Sequence, residues 1–172
     1  MKLLMVSDVH GDFNSLEKVL KNESFDRLVV LGDLFSYGKI ILDLNNNEII
    51  KLLKKYKDKL ILIRGNCDYF IDYEKIGLYA NDIITIRANN HDITLTHGNR
   101  YYRGFMPDFH GDIFASGHTH IPSIIKERDM IYINPGSIGL PRSGSQKSYL
   151  VFDDNYIEIK TIDGALEKRM NI

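Results

Sequence analysis

One cysteine, Cys67, stands in the 172 residues, so no disulfide can close within the chain. That excludes the small, bridge-stapled secreted scaffolds. Charge of one sign is equally lacking: 22 Lys and Arg face 23 Asp and Glu. Nucleic-acid and membrane-surface modules normally carry a basic face, and this balance argues against both. No apolar run is long enough to read as a transmembrane helix. Met1-Lys2 leads into a strand-like run too short for the apolar region of a signal peptide, so the expected setting is the reduced cytoplasm. With no linker, repeat or low-complexity segment, residues 1–172 are expected to form a single domain, enough chain to bury a real core.

What is present is a recurring design. Five stretches run apolar and then end on a residue able to bind a metal. Leu3-Leu4-Met5-Val6 leads into Asp8 and His10, and Leu28-Val29-Val30-Leu31 into Gly32-Asp33. Leu60-Ile61-Leu62-Ile63 leads into Gly65-Asn66, Ile93-Thr94-Leu95-Thr96 into His97-Gly98, and Ile113-Phe114-Ala115-Ser116 into Gly117-His118-Thr119-His120. Short apolar runs rich in β-branched residues predict buried strands. Open α/β sheets build their sites just past the carboxyl ends of such strands. Five endings of this kind predict one metal site assembled from most of the chain.

The first half alternates strand and helix. Asn14–Lys21 is expected as a short helix, with Asn14 as candidate N-cap and Leu16, Val19 and Leu20 on one face. A long polar stretch follows the second strand. A helix over about Asn47–Tyr56 then carries Ile49, Leu52, Leu53 and Tyr56 as its stripe, with Lys51, Lys54, Lys55 and Lys57 as a solvated face. This β-α-β-α-β half predicts a largely parallel sheet. The second half offers short strands at Ile83–Arg87, Ile93–Thr96, Ile113–Ala115, Ile124–Ile125, Met130–Ile133, Tyr149–Phe152 and Tyr156–Ile159, separated by turn residues. A meander-like second sheet is expected, packed face to face on the first with helices outside.

Asp8 and Asp33 are hard anionic oxygen donors, His10, His97, His118 and His120 offer imidazole nitrogen, and Asn66 offers an amide oxygen. A mixed N/O set suits Mn, Fe, Zn, Ni or Co better than Ca or Mg. Seven donors exceed one tetrahedral ion and suit two ions sharing a carboxylate, the clamp used for in-line displacement at phosphorus.

The order Asp8-Val9-His10, Gly32-Asp33, Gly65-Asn66-Cys67-Asp68, His97-Gly98, Gly117-His118-Thr119-His120 resembles the calcineurin-like metallophosphoesterase superfamily. The cysteine in the third block and the segment Asn134-Pro135-Gly136-Ser137 are similar to its small YfcE-like phosphodiesterases. The likeness runs from about Met1 to Phe152. It implies an α/β fold of mixed sheets, a four-layer αββα sandwich. It implies one metal held by Asp8, His10 and His120, a second by Asn66, His97 and His118, and Asp33 as bridge. Asp33, Asn66 and His97 become the expected catalytic group, and manganese the first candidate metal. The implied reaction is hydrolysis of a small-molecule phosphodiester by in-line attack of a hydroxide bridging the ions. Two divalent cations with Asp8, Asp33 and that hydroxide leave one positive charge, which a diester monoanion neutralises; Arg64, Arg100 and Arg103 are left out of that count. Homo-oligomers are frequent among small members.

Two other functions fit the fold. A retromer subunit uses it as a protein-interaction scaffold with much of the metal site lost; here all seven positions are metal-competent. A nuclease of the DNA-repair branch is opposed by the short chain, by Cys67 where larger members have histidine, and by the absence of a basic surface. A thiol, with an ordinary pKa near ~8.5, is a poor match as general acid for an alkoxide, so diesters with good leaving groups are expected to react best. Among the remaining residues, His91 is expected at the surface and His110 as loop structure between two ligand blocks. Asp12 is expected as a turn or cap, Asn134–Ser137 as a turn able to point N–H groups at phosphate, and Asp68 as either an orienting residue or a helix N-terminal carboxylate. Tyr101-Tyr102-Arg103-Gly104-Phe105 forms an aromatic cluster suited to a base, an aryl group or a subunit contact.

Overall fold

The computed structural model describes residues 1–35, 44–108 and 110–172. In chain order its elements are β1 (Leu3–Val6), α1 (Phe13–Asn22), β2 (Arg27–Val30), α2 (Leu44–Lys54), β3 (Leu60–Leu62), α3 (Phe70–Ile76), β4 (Ile83–Ala88), β5 (His91–Thr96), β6 (Ile113–Ala115), β7 (Ser123–Glu127), β8 (Met130–Asn134), β9 (Ser148–Asp153), β10 (Tyr156–Thr161) and β11 (Leu166–Asn171). Two mixed sheets result, ordered β11-β10-β9-β1-β2-β3 and β4-β5-β6-β8-β7. β1, β2 and β3 run parallel, and so do β5, β6 and β8.

The continuous apolar runs are explained by two separate cores. Side chains alternate faces along a strand. Leu4, Val6, Leu28, Val30 and Leu62 therefore point to one side, where they meet Leu16, Val19 and Leu20 of α1, Ile49, Leu52 and Leu53 of α2, and Tyr73 of α3. Leu3, Met5, Val29, Leu31 and Ile63 point to the other side, against Ile93, Leu95, Ile113, Ala115, Ile131 and Ile133 of the second sheet. A strand buried on both faces has no polar alternation. Each such leucine contributes about 1.5–3 kcal/mol of burial. The two face-to-face sheets of the expected αββα sandwich are thus obtained; among the described residues, helices α1, α2 and α3 all pack on the outer face of the six-stranded sheet.

Several expectations are corrected. The second sheet is not a meander: β5-β6 and β6-β8 are parallel neighbours, while β9 and β10 leave to extend the first sheet through the antiparallel pair β1-β9. Helix α1 starts earlier than expected, because Asp12 rather than Asn14 is its N-cap and accepts a hydrogen bond from Ser15 N at 3.1 Å. Helix α2 begins at Leu44 and ends at Lys54; Lys51, Lys54, Lys55 and Lys57 are exposed. β11 was not expected at all. Part of the polar stretch after β2 falls on residues 36–43, outside the described residues.

Candidate metal centre

Because β1, β2 and β3 are parallel, and β5 and β6 likewise, the five ligand-bearing turns emerge at strand carboxyl ends. They are stitched to one another: Asp8 N donates to Gly32 O (3.1 Å), His10 N to Asp33 O (3.0 Å), and Gly117 N to His97 O (2.8 Å). The motif glycines make this approach possible. A Cβ on Gly65 would lie 2.1 Å from Asp33 Oδ1, and one on Gly117 would lie 1.8 Å from Ser7 Oγ.

Three overlapping triads place ligand atoms within 4.8 Å of one another: Asp8-His10-His120, Asp8-Asp33-His97 and His10-Asp33-Cys67. His120 Nε2 is 3.1 Å from Asp8 Oδ1, with His10 Nε2 at 3.9 Å from the same oxygen. Asp33 Oδ2 lies between the two halves, 3.7 Å from His10 Nε2 and 3.4 Å from His97 Nε2. Asn66 Oδ1 is 3.1 Å from His97 Nε2. His118 lies outside the triads: its ring stands edge-on 5.1 Å from that of His97, and its backbone N–H donates to Asp8 Oδ2 at 3.0 Å. Cys67 enters a triad, a closeness the sequence reading did not assign to it.

The donor set fits divalent cations. His97 Nδ1 and His120 Nδ1 lie 2.7 and 2.6 Å from the carbonyls of Leu31 and Leu140, which fixes the proton there and leaves each Nε2 lone pair facing a carboxylate. Asp8 Oδ1 is buried and faces His120 Nε2 at 3.1 Å. Lone pairs converging on buried anionic oxygen call for positive charge between them. Hydrogen bonding to Asp8 raises the pKa of His120; burial opposes protonation of His97, but Asp33 and Asp8 outweigh it and raise its pKa too. Burial likewise works against ionised Asp33, yet His97 and the Cys67 N–H, which donates to Oδ1 at 2.8 Å, hold it well below the usual carboxylate range. Burial lowers His10 and His118. The Cys67 thiol is pushed up to about 12 by burial and by Asp33 beside it.

Backbone strain is concentrated at the same place. Asp8, His10, Asp33, His118 and His120 all have left-handed φ, between 47° and 66°. Asp and His tolerate this region better than most residues, but it persists only where surroundings over-determine it. A ring of buried polar groups does so. Ser7 Oγ donates to Asp8 Oδ2 (2.6 Å), and Ser137 Oγ to Asp8 O (2.7 Å). Asn134 Nδ2 donates to Gly117 O (2.8 Å) while its Oδ1 accepts from Gly136 N (2.9 Å). Asp68 accepts from Leu34 N, Gly65 N and the Tyr73 hydroxyl, tying two ligand turns to α3. Of the two roles considered for Asp68, orientation is the one found; the N-cap of α3 is Tyr69. The Asn134–Ser137 turn acts as a brace for the ligand loops. Ser7 and Tyr73 were missed, and no local pattern marks them.

Other residues fall elsewhere. Asp12 caps α1 and receives Lys147 Nζ at 2.5 Å. His91 is half-buried rather than at the surface, 2.5 Å from Asp112. His110 is exposed and turns back on Gly111 O at 3.0 Å. Arg64 and Arg100 both bind Asp82, and Arg103 binds Glu127.

A two-sheet sandwich with Asp, His and Asn donors converging from strand ends defines a metallophosphoesterase-type centre. The chain belongs to the calcineurin-like phosphoesterase superfamily, whose domain profile matches residues 1–155. Phosphodiesterase YfcE of Escherichia coli strain K12 is 28% identical over 92% of this chain and 91% of its own length. A probable metallophosphoesterase of Methanocaldococcus jannaschii is 30% identical over 94% of this chain and 81% of its own. The solved structure of the phosphoesterase Yfce superposes with TM-score 0.88 at 26% identity, covering 99% and 98% of the two chains. Vps29 of Entamoeba histolytica complexed with zinc, at TM-score 0.66 and 19% identity over 99% of each chain, shares the fold.

Proposed function

We propose that this chain, acting as a single domain over residues 1–172, is a metal-dependent phosphodiesterase with a dinuclear centre. The observation that carries the proposal is the position of Asp33 Oδ2, within 3.7 Å of His10 Nε2 and 3.4 Å of His97 Nε2, as a shared carboxylate between two donor groups. Asp8, His10 and His120 would hold one cation, and Asn66, His97 and His118 the other. When bound, two such cations supply an acidified water and positive charge over the phosphoryl oxygens. Asp33 keeps the two binding groups in register. Its bond from Cys67 N and the glycine approach at Gly65 fix the direction of its carboxylate. His97 keeps its proton on Nδ1 against Leu31 O, so Nε2 stays a donor of electrons. Asn66 is exposed and offers its amide to both the centre and incoming substrate.

Asp8 and Asp33 leave this centre one positive charge once cations and an attacking hydroxide are counted, so the substrate is a small-molecule phosphodiester monoanion. Manganese is the proposed metal, with Ni, Fe, Zn or Co accommodated by the same donors. A cytoplasmic setting is proposed on the single cysteine. The scaffold role is disfavoured because none of the seven donors is replaced.

The test is metal analysis of purified protein beside hydrolysis of an aryl phosphodiester. Wild type is expected to hold about two divalent ions per chain and Asp33→Asn to lose more than about 100-fold in activity together with metal, since even outer-shell partners are worth 10–100-fold. Wild type without metal, or a variant indistinguishable from it, would overturn the proposal. With a thiol at position 67, rates across a series of aryl and alkyl diesters should fall steeply as the leaving-group pKa rises; a flat series would remove the absence of an effective acid from the mechanism.

A further inference from the structure

We infer that a cleft beside the metal centre is the subsite for one ester substituent of the substrate, and that this substituent carries a flat aromatic ring. The inference rests on the phosphodiesterase reading above and adds the substrate's chemical class to it.

The cleft, about 430 Å³, is lined by Arg64, Asn66, Asp82, Arg100, Tyr101 and Phe105 among others. It is of a size that takes a small organic group. Asn66 is common to cleft and centre, its Oδ1 lying 3.1 Å from His97 Nε2. A phosphoryl group at the centre therefore has an open space next to it for one of its two ester arms. Tyr101 and Phe105 lie parallel, with an interplanar angle of 14° and centroids 6.0 Å apart. Their loop is held in shape. Tyr102 and Phe105 exchange both backbone hydrogen bonds, at 3.1 and 2.8 Å, around Gly104 at φ +101°. Arg103 binds Glu127 and lies 5.9 Å over the Tyr132 ring, anchoring the turn to the second sheet. Phe105 remains 57% exposed despite this bracing. A rigidly mounted, solvent-facing aromatic pair at a cleft wall loses little entropy on stacking and gains from covering apolar surface.

The cleft also holds two arginines. Arg64 Nη2 is 2.7 Å from Asp82 and Arg100 Nη1 is 3.2 Å from its other oxygen. Both guanidinium groups share the one Asp82 carboxylate, so each keeps N–H groups able to donate to an anionic ligand, although Asp68 also lines the cleft. An alkyl diester would leave the aromatic pair unused; an aryl or nucleoside diester stacks on it, whichever ring it carries.

The experiment compares wild type with Tyr101→Ala and Phe105→Ala, both in loop positions outside the metal donors. Turnover is followed for methyl 4-nitrophenyl phosphate, phenyl 4-nitrophenyl phosphate and thymidine 5′-(4-nitrophenyl phosphate), which share a leaving group and all carry its ring, so methylphosphonate is the ring-free reference. Binding of phenylphosphonate and methylphosphonate is measured by calorimetry as a readout independent of turnover. Wild type is expected to bind phenylphosphonate about tenfold more tightly than methylphosphonate, an effect of the size found for base–aromatic stacking. The variants should lose that preference while metal content and the Kd of methylphosphonate change by less than about twofold. The phenyl and thymidine arms distinguish an aryl from a nucleobase occupant, either of which supports the subsite. A wild type that turns over the diesters but binds phenylphosphonate no more tightly than methylphosphonate overturns the subsite and leaves the phosphodiesterase reading intact. So do variants that weaken methyl and ring-bearing ligands alike. A wild type that hydrolyses none of them overturns both.

Discussion

Left-handed turns occur at both ends of the sandwich, and they do different work. At the carboxyl ends of β1, β2 and β6 they fall on Asp8, His10, Asp33, His118 and His120, crosslinked through Gly32 O, Asp33 O and Asp8 Oδ2. At the opposite end they fall on Asn89 and Asn90 between β4 and β5, and on Arg128 between β7 and β8. Those residues close tight hairpins, and Asn90 and Arg128 are exposed. The same backbone conformation is therefore not itself the mark of a site. What separates the two ends is burial together with polar bonds between distant turns: strain is tolerated at one end because the neighbours demand it, and at the other because solvent and short-loop geometry permit it.

The comparison can be broken by removing the bonds at the site end. Asp68→Asn disrupts acceptors for Leu34 N, Gly65 N and the Tyr73 hydroxyl. It should cost about 10–100-fold in metal affinity or activity and about 1–3 kcal/mol in stability, read by metal titration and denaturant unfolding. If activity survived with all that stability lost, the brace would be structural only. A smaller effect is expected at the rim, where Asp12 caps α1 and meets Lys147. Burial works against its ionisation, but Lys147 and Ser15 outweigh it and hold its pKa below the ordinary 3.8. A depressed folded-state pKa stabilises above the unfolded value and ceases to do so as pH falls through the folded one. Asp12→Asn should thus lie about 1 kcal/mol below wild type at pH 7, with the gap closing below about pH 4 in paired denaturation curves. The smallest effect belongs to the far end. Asn90→Gly, at φ 67°, should move stability by no more than about 0.5 kcal/mol and leave metal binding untouched. A loss of metal there would mean the two ends are coupled.

The parallel strands were legible because residues buried on both faces leave an unbroken apolar run. The ligands were legible because each stands just beyond such a run. The start of α1 was not, since Asp12 and Asn14 are both competent caps and Ser15 with Lys147 decides between them. β11 was hidden because an edge strand pairs on one side only and stays exposed; its Glu167-Lys168-Arg169 reads as loop. β9 and β10 looked like neighbours of β8, but their alternation serves two cores at once: Tyr149 and Val151 face the helices, Leu150 and Phe152 the second sheet. Ser7, Asp68, Asn134 and Ser137 carry no periodic signal, and some of their partners lie more than a hundred residues away, as Asp8 does from Ser137.

The sequence by itself determined the inventory of the site: which buried strands lead to it, which donors end them, and which glycines stand beside those donors, because hydrophobic period and ligand chemistry are local properties. Only the tertiary structure decided that Asp33 stands between two histidine groups, which imidazole nitrogen keeps its proton, and that Tyr101 and Phe105 flank a cleft beside Asn66. Each of these depends on distances between segments far apart in the chain, and those distances are set by how two sheets pack.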